Sequence, residues 1–173
     1  MNFLQRISIA LTLFMTVVAP ASFANDALEA EVKAVYDSKL KELFLYFHQN
    51  PELSTMEHKT SARLADELTA LGYTVHRNVG GTGIVALLEN GKGPLVMFRA
   101  DMDGLPVEEK SGLAYASRAK QVDPNGNEVF VMHACGHDVH ITSLVGTAQL
   151  MAEKQDQWQG TLMLIGQPAE ERV

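Results

Sequence analysis

Three short stretches of the chain concentrate the side chains that do acid–base and metal chemistry. They are Arg99-Ala100-Asp101-Met102-Asp103-Gly104-Leu105-Pro106, Met132-His133-Ala134-Cys135-Gly136-His137-Asp138-Val139-His140, and Gln167-Pro168-Ala169-Glu170-Glu171. In an extended segment Cys135 and His137 would point to the same side, and Gly136 between them lets the backbone bend without a Cβ clash. Thiolate and imidazole are preferred donors for zinc and similar borderline cations. Alone, Cys-x-His is more often a buried free thiol near satisfied histidines than a ligand pair. His133 and His137, four apart, would share a face only in a helix, which Gly136 argues against. Glu170 and Glu171 are adjacent carboxylates that point different ways, so one can hold a cation while its neighbour acts as general base toward water. Asp101 and Asp103 share a side, and Asp103 is suited to hydrogen-bonding a ligating histidine. Alone, Glu170-Glu171 reads as readily as a solvated turn, and the aspartate pair is more often a surface turn than a site. Together the three stretches favour a metal hydrolase.

The elements that must position them are short apolar runs. Leu95–Phe98 precedes the first stretch, Glu128–Met132 leads into the second, and Thr161–Ile165 precedes the third. In open α/β sheets, ligands bind beyond the carboxyl ends of strands, so three such ends are expected to converge. Gly83–Leu88 reads as another strand, joined to Leu95–Phe98 by Asn90-Gly91-Lys92-Gly93, a turn of the kind hairpins use. Helical spacing runs from Asp26 to Gln49 through Leu28, Val32, Val35, Leu40, Leu43, Phe44 and Phe47, closed by Asn50-Pro51. Thr55–Leu71, stopped by Gly72, and Val139–Glu153 are two more predicted helices. The expected fold class is α/β, a mixed β-sheet flanked by helices in a sandwich.

Composition narrows the field. A length of 173 residues suits one domain, and 46% hydrophobic against 20% charged residues excludes a disordered tail. Acidic residues outnumber basic ones 21 to 14, for a formal charge of −7, which argues against a nucleic-acid partner. One cysteine excludes an internal disulfide. Residues 1–24 read as a secretory signal, with Arg6, the apolar run Ile7–Ala19, and Ser22 and Ala24 at the −3 and −1 positions of a cleavage site. That run is short for a bilayer span, so export to the periplasm or exterior is expected, with no stable membrane anchor after cleavage. Residues 25–173 would form the folded unit. Gly80-Gly81-Thr82-Gly83 lacks the Lys-Ser/Thr of a phosphate loop, and no Gly-x-Ser-x-Gly elbow occurs. A papain-type role for Cys135 would leave the Glu-Glu and Asp-x-Asp pairs unexplained.

The order and spacing of His48-Gln49-Asn50-Pro51-Glu52-Leu53-Ser54, Arg99–Pro106, His133–His140 and Gly160–Glu171 resemble the M20 peptidases. The likeness covers residues 36–173 and points to the aminoacylase-like amidohydrolase branch, which includes hippurate hydrolases, auxin-conjugate hydrolases and N-acetyl-diaminopimelate deacetylases. The resemblance implies a zinc-exopeptidase-like catalytic domain with two divalent ions per complete site, zinc or manganese, with cobalt admissible. It implies Cys135, His137 and Glu171 as metal ligands, Glu170 as the general base that later protonates the leaving amine, and Asp103 as the aspartate that orients a ligand. Asp101, His133 and His140 would take supporting places around them. The implied substrate is a small-molecule amide, an N-acyl amino acid or a related conjugate. Family members are more than twice as long and supply two further histidine ligands and a lid domain that pairs subunits into a homodimer. Those parts lie outside these residues, so the chain alone is expected to be poorly stable and to have little or no hydrolase activity. A non-catalytic metal-binding or interaction remnant of the same fold is the alternative, against which Glu170 speaks.

Overall fold

The apolar spacing Val35, Leu40, Leu43, Phe47 contains a five-residue step, which a regular α-helix cannot keep on one face. The computed structural model, which describes residues 21–172, resolves this with a π turn. Helix α1 (Ala21–Val35) passes through that turn at Tyr36–Leu40 into α2 (Lys41–Gln49), and all four side chains enter the core. The single helix expected from Asp26 is thus broken by one extra residue in the turn. Helix α3 (His58–Ala70) buries Leu64, Ala65 and Leu68. It starts three residues later than expected, because Thr55 is left-handed (φ 68°) and Met56 N–H closes a turn onto the Leu53 carbonyl at 2.9 Å. Its first turn is capped from a distance: Glu52 accepts from Thr60 N–H at 2.7 Å and Lys59 N–H at 3.2 Å.

Strands β1 (Thr74–Val79), β2 (Gly83–Asn90) and β3 (Leu95–Asp101) follow. A separate two-stranded ribbon pairs β4 (Lys120–Val122) with β5 (Glu128–Phe130). Helix α4 (His137–Glu153) leads to β6 (Gly160–Gln167), and the main sheet has the order β1-β2-β6-β3. β6 is antiparallel to β2 and parallel to β3, so the sheet is mixed. The hairpin expected between β2 and β3 does not form, because β6 lies between them. The turn residues serve another contact: the Asn90 amide donates to the carbonyls of Gln155 and Trp158, both at 2.6 Å, and fixes the entry to β6. β1 and β4 have no apolar run to announce them; their mixed polar sequences belong to exposed edge strands.

Helices cover one face of the sheet. Ile84, Ala86 and Leu88 of β2 and Leu162 and Leu164 of β6 pack there against Leu64, Leu68, Ile141, Leu144 and Val145. On the other face Val85, Leu87, Met163 and Ile165 are only half-buried. Leu95, Val96, Met97 and Phe98 of β3, at the sheet edge, are 41–59% exposed. Among the described residues, no helix is long and apolar enough to cross a membrane. Of the signal segment expected over residues 1–24, residues 1–20 lie outside the described part.

Candidate metal centre

Because β3 and β6 are parallel and in register, Asp101 opposite Gln167, both chains leave the sheet at the same end. The first and third stretches therefore meet as the strand-end argument expects. The second arrives differently. β5 belongs to the small ribbon, not the main sheet, and is shorter than the expected strand. Its continuation is docked by the first stretch: Leu105 and Met132 exchange N–H···O bonds of 2.9 and 3.1 Å, and Gly104 N–H donates to the Glu52 carbonyl at 2.7 Å. A Cβ at Gly104 would lie 3.1 Å from the Met132 carbonyl, Pro51 and Val131, so a side chain there would force these neighbours back by a few tenths of an ångström.

The Cys135–His137 segment is not extended. Gly136 adopts φ 76° and caps α4, which makes His137 its first residue, two earlier than expected. Cys135 sits on the exposed turn before it, with its thiol facing the Glu171 carboxylate. That carboxylate, with burial and the charges of Glu170 and Asp103, pushes the thiol up.

Asp103 is the hub, 1% exposed. Its Oδ2 accepts from Ser54 Oγ at 2.5 Å and Glu171 N–H at 2.9 Å, and its Oδ1 accepts from Glu170 N–H at 3.2 Å. Its main-chain carbonyl lies 2.8 Å from His137 Nδ1, with Oδ1 3.4 Å from the same nitrogen. Burial alone would raise this carboxyl; hydrogen bonds from His137, Ser54 and the Glu171 amide outweigh it and hold the group well below the usual carboxylate range. In return the Asp103 carboxylate, opposed by burial, lifts the His137 imidazole.

With Nδ1 committed to Asp103, His137 turns Nε2 toward the carboxylates, 3.7 Å from Glu170 Oε2 and 3.8 Å from Glu171 Oε1. Ligand-type atoms of His137, Glu170 and Glu171 lie within 4.8 Å of one another, as do those of Asp101, His137 and His140. Cys135 is in neither group but adjoins the first through Glu171. An imidazole fixed at one nitrogen, two convergent carboxylates and a neighbouring thiol form a donor set that fits a divalent cation.

The remaining expected residues sit around this set. Asp101 is buried, with Oδ1 3.3 Å from Arg99 Nε but unaligned for a hydrogen bond, and Oδ2 3.8 Å from His140 Nδ1. His140 is exposed and stacks on His137 at 5.3 Å between ring centroids. His133 is buried, and neither ring nitrogen finds a hydrogen-bond partner among the described residues; burial pushes its imidazole down to about 4.

Several further residues, with little local signal in the sequence, hold the site. Ser54 belongs to the His48–Ser54 motif, but nothing in its neighbourhood in the sequence points to its bond with Asp103. His48, from the same motif, bridges Asp138 Oδ2 at 2.7 Å and Glu109 Oε1 at 3.3 Å, tying the start of α4 to α2. Glu109 is buried, yet hydrogen bonds from Ser111 and Ser117 N–H and the nearby His48 hold its carboxyl low. The sign that His48 mattered was its place in a motif ending at a helix terminus; nothing local pointed to Asp138 or Glu109.

The profile of Peptidase family M20/M25/M40 matches residues 97–173, which include all three stretches. The chain is 35% identical to "IAA-amino acid hydrolase ILR1-like 2" of Arabidopsis thaliana, covering 99% of this chain and 39% of that protein. It is 42% identical to "N-acetyl-L-cysteine deacetylase" of Bacillus subtilis, over 73% of this chain and 28% of that one. Among solved structures it is similar to the YXEP protein of Bacillus subtilis, described as a dinuclear metal binding peptidase from M20 family. There the identity is 32% and the TM-score 0.69, covering 80% of this chain and 36% of that one. The chain spans well under half the length of the curated relatives it matches.

Proposed function

The chain belongs to peptidase family M20/M25/M40, and from that premise we propose that it carries part of the metal centre of an amidohydrolase acting on N-acyl amino acids or related amide conjugates. The observation that carries this reading is His137, whose Nδ1 is fixed 2.8 Å from the Asp103 carbonyl while Nε2 stands within 4 Å of both Glu170 and Glu171.

Cys135, His137 and Glu171 are the ligands in this reading, with zinc or manganese as the cation. A divalent cation held there supplies Lewis acidity toward water and toward the amide carbonyl. Glu170, more exposed than Glu171 and directly beside it, takes the proton from the attacking water and returns it to the departing nitrogen. Asp103 keeps the His137 ring in one tautomer and, through the Glu170 and Glu171 amides, fixes the turn that presents both carboxylates. The names of the relatives support amide and peptide bonds as the substrate class. The leader-like residues 1–24 support export.

Cobalt titration of the 173-residue chain tests the centre. One equivalent should bind with a thiolate-to-cobalt charge-transfer band that is lost in Cys135→Ser, and with affinity lowered at least about tenfold in Glu171→Ala. Wild-type protein that takes up no cobalt, or whose spectrum is unchanged by Cys135→Ser, refutes the ligand assignment.

A further inference from the structure

Glu57 occupies the residue just before α3, from which a side chain ordinarily accepts the helix's own first N–H groups, yet it makes no such bond. Glu52, five residues earlier, takes over that task. The Glu57 side chain is 0% exposed and turned inward instead. Its Oε1 accepts from Thr55 N–H at 2.9 Å and from Ala169 N–H at 2.7 Å, and its Oε2 accepts from the Thr82 hydroxyl. Burying a carboxylate is costly unless hydrogen bonds surround it, and here they come from three separate segments.

Two of those donors share an unusual backbone. Thr55 has φ 68° and Ala169 φ 54°; with Asn78 they are the non-glycine residues of the described chain in the left-handed region. A Cβ disfavours that conformation, so it persists only where the surroundings enforce it. One oxygen of Glu57 thus clamps two strained residues, and the second directly precedes Glu170. The next two amides, of Glu170 and Glu171, donate to Asp103. Three consecutive N–H groups of the turn therefore end on two buried carboxylates.

We propose that Glu57 is a positioning residue of the metal centre: it holds Ala169 left-handed and thereby sets where the Glu170 and Glu171 carboxylates stand relative to His137. The inference rests on the reading of Glu171 as a ligand and Glu170 as the base. Without the clamp Ala169 relaxes toward an ordinary conformation, and both carboxylates swing with it. Glycine at 169 would adopt the left-handed conformation without help, which makes the idea separable from a general loss of stability.

The experiment compares wild type, Glu57→Ala, Glu57→Gln, Ala169→Gly and the Glu57→Ala/Ala169→Gly pair in the full chain. Cobalt affinity is measured by its visible absorption, and amide hydrogen exchange at Glu170 and Glu171 is followed without metal. Glu57→Ala should bind cobalt roughly tenfold more weakly, the cost of one enforced left-handed residue, and lose protection at both amides. Glu57→Gln, which keeps an acceptor for Ala169, should stay within about threefold of wild type. The pair should regain affinity and protection to within about threefold of Ala169→Gly, while its urea midpoint stays as low as that of Glu57→Ala, because the Thr55 and Thr82 donors remain unpaired. If Glu57→Ala does not fold, Glu57→Asp, one methylene short of Ala169, carries the same expectation. Wild-type affinity and protection in Glu57→Ala, or a pair as weak as Glu57→Ala, overturns the proposal. Wild-type protein that fails to bind cobalt removes the ligand reading instead, and the exchange measurement still decides the positioning role.

Discussion

Replacing Asp103 by asparagine tests how much of the local architecture depends on one carboxylate. Asp103 accepts from Ser54 Oγ and the Glu170 and Glu171 amides, and its Oδ1 lies 3.4 Å from His137 Nδ1. Asparagine keeps one acceptor oxygen, but either orientation of its amide sets an NH2 against a backbone N–H. Hydrogen bonds to a charged acceptor contribute about 1.5–3 kcal/mol each, and an unsatisfied buried donor costs about 1–3 kcal/mol. Allowing for relaxation, Asp103→Asn should lower the unfolding free energy by about 3 kcal/mol at pH 7. Urea denaturation in the presence of a chelator would register this as a midpoint drop of about 1.5 M, for a slope of about 2 kcal/mol/M. The pH dependence gives a second check. The folded-state carboxyl is held below its unfolded value, so its contribution is fully present above about pH 3.9 and is lost as pH falls further. The gap between wild type and variant should therefore close by about 1.4 kcal/mol per pH unit below that point. A variant within about 0.5 kcal/mol of wild type at pH 7, or a gap that stays constant down to pH 3, refutes the reasoning.

Two further outcomes concern the supports of α4. Tyr73 is buried and donates to the Ala148 carbonyl at 3.1 Å, and burial pushes its hydroxyl up to about 12. Its contribution is present below the unfolded value near 10 and lost as pH rises toward 12, so Tyr73→Phe should be less stable at pH 7 by about 1 kcal/mol and should flatten the alkaline loss in a pH series of thermal melts. His48→Ala removes the ring that bridges Asp138, at the start of α4, and Glu109, and should cost about 3 kcal/mol in chemical denaturation; a loss below about 1 kcal/mol would mean that the bridge is dispensable.

The long strands of the main sheet are legible because their apolar runs are dense: β2, β3 and β6 contain Gly83–Leu88, Leu95–Phe98 and Thr161–Ile165. Pairing was not legible. Asn90-Gly91-Lys92-Gly93 has hairpin composition, but composition cannot tell whether a strand from much later in the chain will be inserted, as β6 is. The same limit hid the task of Glu57. Its partners Thr82 and Ala169 lie 25 and 112 residues away, and its position before α3 suggests a local cap that Glu52 in fact provides. Asp103 was singled out because its Asp-x-Asp spacing is a local signal; Ser54, which meets it across 49 residues, carries none. The π turn between α1 and α2 is written in the five-residue step from Val35 to Leu40, but helical spacing on either side of that step makes the two helices look like one.

Leu95, Val96, Met97 and Phe98 have a practical bearing on all these measurements. An oily ribbon with free main-chain donors and acceptors along its margin is a template on which other molecules of the same kind can stack. Purification yield and clarity on heating would then be governed by encounters between molecules, and would depend on how concentrated the sample is. Dilute samples and a lysine at Val96 are the remedies this surface prescribes.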